Sequence, residues 1–311
     1  MLPEVETWDA MPGEAALRPG VERLCGELGV APAGLVRYVS RSRPVYAAGD
    51  LVLKLFPPLD GDAYRVEASV LAAVSGALPV ATPAVHAVGE HATGEGRGWG
   101  YVLMSRLPGV PLDTVWPELG EADRDRIADR LGQTLAALHN VEPPERLPGD
   151  WRAFVARRRA SCEREQRELG LAHEWAAQIP GFLDSIPIRD TQQALLHTEI
   201  MREHLLVSQD GAGAWQLSGL IDFEPAMRGA PEYEFAALGV FAAAGDARFL
   251  RRALLAYGYS DSELDTGRRR LMGWTILHRY SHLSAYLARL PPPSTATFAA
   301  AADRWFATSA T

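Results

Sequence analysis

The sequence predicts an α+β chain in two lobes, a small antiparallel-sheet lobe with one helix followed by a larger, mainly helical lobe. Three observations carry that expectation. Short apolar and β-branched runs cluster in the first third, Pro108, Gly109 and Pro111 break the pattern, and helical spacing dominates beyond the break. The expected boundaries are 1–104 for the first lobe, 105–109 for a hinge, and 110–311 for the second lobe.

Residues 35–38, 45–48 and 51–56 read as strands separated by polar turns, and Ala48-Gly49-Asp50 suits a hairpin between the last two. Ala63, Val66, Val70 and Val74 then recur at helical spacing, closed by Gly76 and Pro79. Two more strands are expected near 84–89 and 101–104. Past the break, Ile127, Leu131, Leu135 and Leu138 form one stripe of a helix over 121–139. Glu121 and Asp123 occupy its first turn, where the helix dipole favours acids. A charged helix is expected over 152–178, short strands at 195–196, 205–207 and 217–223, and helices from Glu232 onward. The alanine-rich run 235–245 reads as a buried helix. No apolar run approaches the ~20 residues that span a bilayer.

At 311 residues the chain can bury one large core or two modest ones. The acidic N-terminus lacks a secretory pattern, and two cysteines, Cys25 and Cys162, are too few for a disulfide framework. A cytoplasmic protein fits. A net charge of −8 argues against a nucleic-acid partner and suits a cationic small molecule, although many soluble proteins are simply acidic. Oligomeric state is not legible.

Of 31 basic residues, 30 are arginine and one is lysine, the bias of a GC-rich coding sequence. The survivor, Lys54, stands inside the apolar run Leu51-Val52-Leu53-Lys54-Leu55-Phe56. A charge in a strand core is costly unless paired, and lysine supplies a compact point charge that arginine does not. Glu67, beside the apolar stripe of the following helix, is a candidate partner; a solvated helix glutamate is the plainer alternative. Further along, His197-Thr198-Glu199 and His204 precede one short strand, and Asp222 ends another between Ile221 and Phe223. Phosphoryl transfer needs a cation on the phosphates, a carboxylate on Mg²⁺ and an acceptor for the hydroxyl proton. The chain offers a candidate for each.

These residues resemble the aminoglycoside phosphotransferase family, which has a protein-kinase-like bilobal fold. His197 falls on the first residue of that family's H-G-D-x-x-x-x-N motif, Glu199 on its catalytic Asp and His204 on its metal-binding Asn. Ile221-Asp222-Phe223 matches the following I-D-F, and 229–236 (GAPEYEFA) is similar to G-D-P-x-Y-D-L-A. The resemblance implies ATP and Mg²⁺ as cofactors. Lys54 and Ser42 would lie on the phosphates, Glu67 would orient Lys54, and Met104 and Arg106 would flank the adenine. Asp222 and His204 would serve the metal, with Glu199 and His197 at the catalytic step. It also implies a hydroxyl acceptor, of aminoglycoside type and tied to antibiotic resistance, with macrolide, choline or homoserine acceptors as alternatives. Glu203, Glu224, Glu232 and Glu234 are acids able to line the acceptor side. The chain departs from the pattern at Thr198, Glu199, His204, Ala230 and Glu234. Those departures keep open a second reading, a nucleotide-binding pseudokinase. A protein kinase proper is not expected, because no H-R-D segment is present.

Overall fold

A computed structural model describes every residue except 1, 6, 32–33, 39–42, 93–97, 148, 189–191, 293–294 and 310–311. The chain forms two compact units. The first comprises Met1–Gly76, Ala81–Pro108 and the short segment Ile221–Glu224; the second comprises Ala77–Val80, Gly109–Leu220 and Pro225–Thr311.

The first unit opens with α1 (Glu14–Glu27), whose Leu17, Val21, Leu24 and Cys25 are buried. Strands β1 (Val36–Arg37), β2 (Val45–Ala48), β3 (Leu51–Phe56), β4 (Val85–His91) and β5 (Trp99–Ser105) form an antiparallel sheet in the order β1-β2-β3-β5-β4. Helix α2 (Ala63–Val74) buries Tyr64, Glu67, Ala68, Leu71 and Val74, positions three and four apart that share one face. The strands and α2 match the sequence reading; α1 is an addition to it. Pro19 lies inside α1 and obscures its helical pattern, and tertiary burial against Tyr46, Leu53 and Trp99 supplies what local propensity does not.

In the second unit, β6 (Val110–Pro111) pairs with β8 (Leu205–Gln209), which pairs with β9 (Trp215–Leu220); β7 (Ala194–Leu196) pairs with β10 (Met227–Gly229). The remainder is helical: α3 (Leu112–Val115), α4 (Glu121–His139), α5 (Trp151–Glu168), α6 (His173–Ala176), α7 (Ile179–Asp184), α8 (Glu234–Ala237) continuing into a π-helical turn at Leu238–Ala243, α9 (Ala247–Tyr257), α10 (Asp261–Leu277), α11 (Leu283–Arg289) and α12 (Phe298–Trp305). The chain is thus α+β, with an antiparallel sheet first and helices after. Gly132 lets α4 and α9 approach closely, since a Cβ there would come within 2.1 Å of the Ala253 carbonyl oxygen.

Two expected elements are shorter than the sequence suggested. The helix expected to reach 178 stops at Glu168, because Gly170 turns into the left-handed region (φ 81) and Leu171 N–H closes back on the Gln166 carbonyl. The strand expected to run to Phe223 stops at Leu220, and Asp222 takes φ 69, which no strand residue can. Both cysteines are buried and unpaired. Among the described residues no helix is long and apolar enough to cross a membrane.

Candidate active site

Lys54 sits in β3 between Val45 of β2 and Val102 of β5 and is almost fully buried. Its ammonium meets two carboxylates: Nζ lies 2.8 Å from Glu67 Oε2 and 2.7 Å from Asp222 Oδ1. The helical spacing of α2 turns Glu67 inward, where it is 1% exposed. The ion pair, not the solvated glutamate, is what forms. Burial alone would push the Lys54 pKa down, but Asp222 and then Glu67 override it and hold it above the ordinary lysine value. Lys54 is therefore a fixed cation at neutral pH. The Asp222 side chain keeps about a third of its exposure.

Arg43 anchors the same neighbourhood. It donates from Nε and Nη2 to the two oxygens of Asp60, both at 2.8 Å, and its Nη1 lies 2.9 Å from Glu224 Oε2. Its guanidinium also covers the Phe56 ring at 5.6 Å. Two ion pairs thus tie the segment carrying Asp222 to the sheet unit, one from Lys54 and one from Arg43.

The other sequence-nominated residues of this unit are less committed to one place. Met104 lies in β5 opposite both Val52 and Val85, so its strand is paired on both sides. The Arg106 N–H donates to the Asp50 carbonyl at 2.8 Å and is not open to a ligand. Ser42 lies outside the described residues.

In the second unit, His197, Thr198, Glu199 and His204 occupy the turn between β7 and β8. Its backbone is clamped by Glu234: the N–H groups of His197 and Thr198 donate to Oε2 and Oε1 at 2.6 and 2.7 Å. Burial pushes the Glu234 carboxyl up, but His139 and His197 outweigh it and hold the group below the usual range. His139 stands with Nε2 3.6 Å from Glu234 Oε2 and Nδ1 2.9 Å from the Tyr257 hydroxyl. Thr198 takes φ 74, strained for a β-branched residue. Two further contacts hold it there: its Oγ1 donates to the Pro225 carbonyl at 3.0 Å, and its own carbonyl accepts from His278 Nε2 at 3.1 Å.

Two ring protons follow from their partners. His204 Nδ1 lies 2.9 Å from the Glu199 carbonyl, which can only accept, so Nδ1 carries a proton and donates it there. His278 donates from Nε2 and accepts the Tyr280 N–H at Nδ1, while burial, seconded by Arg279, pushes its pKa down to about 4. It is neutral at physiological pH.

The acids nominated for the acceptor side are mostly engaged elsewhere. Glu224 faces Arg43; Glu232 accepts from Arg270 Nη2 at 2.8 Å and from Trp274 at 3.3 Å; Glu234 is wholly buried against backbone N–H groups. Glu203 remains exposed. Glu234 is the functional residue the sequence reading misplaced. His278 it did not assign, since that residue acts through a backbone partner far along the chain.

The fold is protein-kinase-like, and the class it defines with this site is small-molecule phosphotransferase. A model of the phosphotransferase enzyme family (APH) matches residues 40–274, and the chain belongs to that family. Similar solved structures include wild-type aminoglycoside 2'-phosphotransferase-IIIa with GDP, at 18% identity and TM-score 0.67, covering 86% of this chain and 94% of that one. A ternary complex of APH(2")-IIa with streptomycin and ATP shares 16% identity at TM-score 0.60, covering 89% and 96%. Macrolide 2'-phosphotransferase MphH from Brachybacterium faecium shares 20% identity at TM-score 0.54, covering 89% and 98%.

Proposed function

We propose that this chain transfers the γ-phosphate of ATP to a hydroxyl group of a small molecule. The observation that carries the reading is the buried Lys54 held between Glu67 and Asp222. A fixed cation beside a partly exposed carboxylate is what a triphosphate with a divalent ion requires. The donor set suits Mg²⁺: Asp222 offers a hard oxygen, and substrate phosphates and water supply the rest. His204 directly precedes Leu205, and Asp222 stands two positions after Leu220, the strand partner of Leu205. An imidazole nitrogen is a poor Mg²⁺ ligand. Bound Mg²⁺ would neutralise phosphate charge.

Glu199 takes the hydroxyl proton as the acceptor oxygen bonds to the γ-phosphorus and the bond from that phosphorus to the bridging oxygen breaks, releasing nucleoside diphosphate. His197 supports it by accepting the Glu199 N–H at 3.3 Å. Glutamate is longer than aspartate by one C–C bond, ~1.5 Å. The strained Thr198 before it and the Glu234 clamp set the backbone from which that longer side chain reaches. The aminoglycosides and macrolide named for the similar structures are the acceptors to test first.

The test is Mg²⁺-ATP turnover against such a panel, with Glu199→Gln and Asp222→Ala beside the wild type. Loss of transfer in both variants supports the reading. Turnover unchanged by Asp222→Ala overturns the metal assignment, and tight ATP binding without transfer to any acceptor favours the pseudokinase.

A further inference from the structure

The turn that carries Glu199 is held at its first two residues by the Glu234 carboxylate. Glu234 opens α8, and the same run of helix continues through the π-helical turn to Ala243. The far end of that run meets the turn again. Arg202 donates from Nε to the Ala242 carbonyl at 2.7 Å and from Nη2 to the Ala243 carbonyl at 3.1 Å. One helical segment, residues 234–243, therefore grips the turn twice, by a side chain at its first residue and by two backbone carbonyls at its end. In the chain, Glu199 stands between the two grips.

The second grip is specific to arginine. The last carbonyls of a helix have no partner within it, and a cation is favoured at that end. Two consecutive carbonyls call for two donors in a fixed fork, which a guanidinium has and an ammonium lacks. Trp116, just after α3, sets the plane of that fork, its ring centroid lying 3.5 Å from Arg202 Cζ. The ring is itself held, edge-on to Phe249 of α9 at 5.3 Å, and the Trp116 carbonyl accepts from Arg124 of α4 at 3.1 Å. Burial, followed by the like charges of Arg289 and Arg124, lowers the Arg202 pKa to about 10, so the group is still a cation at neutral pH.

What Arg202 holds is passed on through a short, closed set of hydrogen bonds. The Glu199 carbonyl accepts from the Met201 N–H at 2.8 Å and from His204 Nδ1 at 2.9 Å, and the Met201 carbonyl accepts from the His204 N–H at 3.0 Å. Arg202 stands inside this set. A shift of its backbone moves Met201 and His204, and both are bonded to Glu199. The π-helical register matters equally. The Ala244 N–H donates to the Gly239 carbonyl at 3.0 Å, with Ala244 at φ 50, and this ends the helix where the Ala242 and Ala243 carbonyls meet Arg202.

We infer that Arg202 is a positioning residue for phosphoryl transfer: clamped by Trp116 and by the carbonyls of Ala242 and Ala243, it fixes the backbone from which Glu199 reaches the acceptor hydroxyl. It acts through Glu199 and not on the substrate. The inference rests on the phosphotransferase reading and gives Glu199 a second support, on the other side in sequence from the Glu234 clamp.

The experiment uses the full chain, with Arg202→Lys, Trp116→Leu and the double variant beside the wild type. Hydrogen exchange followed by NMR reads the amides of Met201 and His204. Mg²⁺-ATP turnover is read with kanamycin and, as a measure that needs no acceptor, with water alone. Arg202→Lys should speed exchange at both amides about tenfold or more. The Leu55 and Leu283 amides, bonded to the Pro44 carbonyl and to Gln166 Oε1, should keep their protection. The turnover number should fall about a hundredfold, the cost of a displacement near ~1 Å, while the KM for ATP stays within about twofold. Trp116→Leu should do the same in smaller measure, and the double variant should be no slower than Arg202→Lys, since one clamp cannot be lost twice. Unchanged exchange at Met201 and His204, a KM that rises as the turnover number falls, or multiplied losses in the double variant overturns the inference while leaving phosphoryl transfer standing. Turnover that is absent from the wild type with every acceptor and with water, or indifferent to Asp222→Ala, overturns the phosphotransferase reading and this inference together.

Discussion

Lys54 Nζ and Asp222 Oδ1 lie 2.7 Å apart although 168 positions separate them in the chain. With Glu67 at 2.8 Å, the ammonium stands between two carboxylates, one of them almost without solvent. Removing the cation leaves Glu67 buried and uncompensated. Lys54→Met should therefore destabilise the chain by about 3–5 kcal/mol. Adding Glu67→Leu should recover most of that loss, a coupling of about 2–3 kcal/mol. Urea unfolding of the two single variants and the double variant measures it. Additive losses would show that the pair does not act as a unit.

Thr198 occupies the left-handed region at φ 74. Glycine reaches that conformation without penalty, whereas alanine bears it and loses the Oγ1 hydrogen bond as well. Thr198→Gly should be more stable than Thr198→Ala by about 1 kcal/mol, the reverse of the usual order. Paired melting temperatures decide it.

The Glu234 carboxylate accepts two backbone N–H groups inside the core. Glutamine has the same shape but turns an NH₂ toward one of those donors. Glu234→Gln should cost about 3 kcal/mol through one unsatisfied buried N–H and the lost charge. It should also increase amide hydrogen exchange at His197 and Thr198. Unchanged protection at those two amides would sink the clamp.

His278 is neutral in the fold, its pKa held near 4 against an ordinary 6.5, amid Arg279, Glu234 and Arg158. Because the folded value is depressed, its contribution is fully present above pH 6.5. That contribution falls as acid protonates the unfolded chain first, and it is gone below about pH 4. The full span is roughly 3 kcal/mol. Between pH 7 and 5 the wild type should lose about 2 kcal/mol more stability than His278→Gln, read by urea unfolding at both pH values.

How much of this was legible depended on how local each signal was. Lys54 stood out by composition, as the single lysine among arginines. Asp222 stood out by its apolar neighbours, and Glu67 by its place on the stripe of α2. These signals sit within a few residues of the group they identify. Glu234 gave no such signal, because a carboxylate that binds backbone N–H groups 36 and 37 positions away looks like any helix acid in a sequence. His278 was equally silent, its partner being a carbonyl 80 positions back. Helix α1 was hidden by Pro19, and α5 was overextended because Gly170 reads as only mildly unfavourable in a helix.

The Arg43 contacts with Asp60 and Glu224 have a further consequence for how the molecule can be cut. The four residues Ile221–Glu224 belong with the sheet, yet the chain delivers them only after more than a hundred residues spent elsewhere. A fragment ending near Pro108 would carry Lys54 and Arg43 without Asp222 or Glu224, one buried and one half-buried cation each short of an anion. Splitting the gene at that boundary would therefore yield a first fragment with its electrostatics unfinished, and ligand binding by it would require the missing tetrapeptide to be returned in trans.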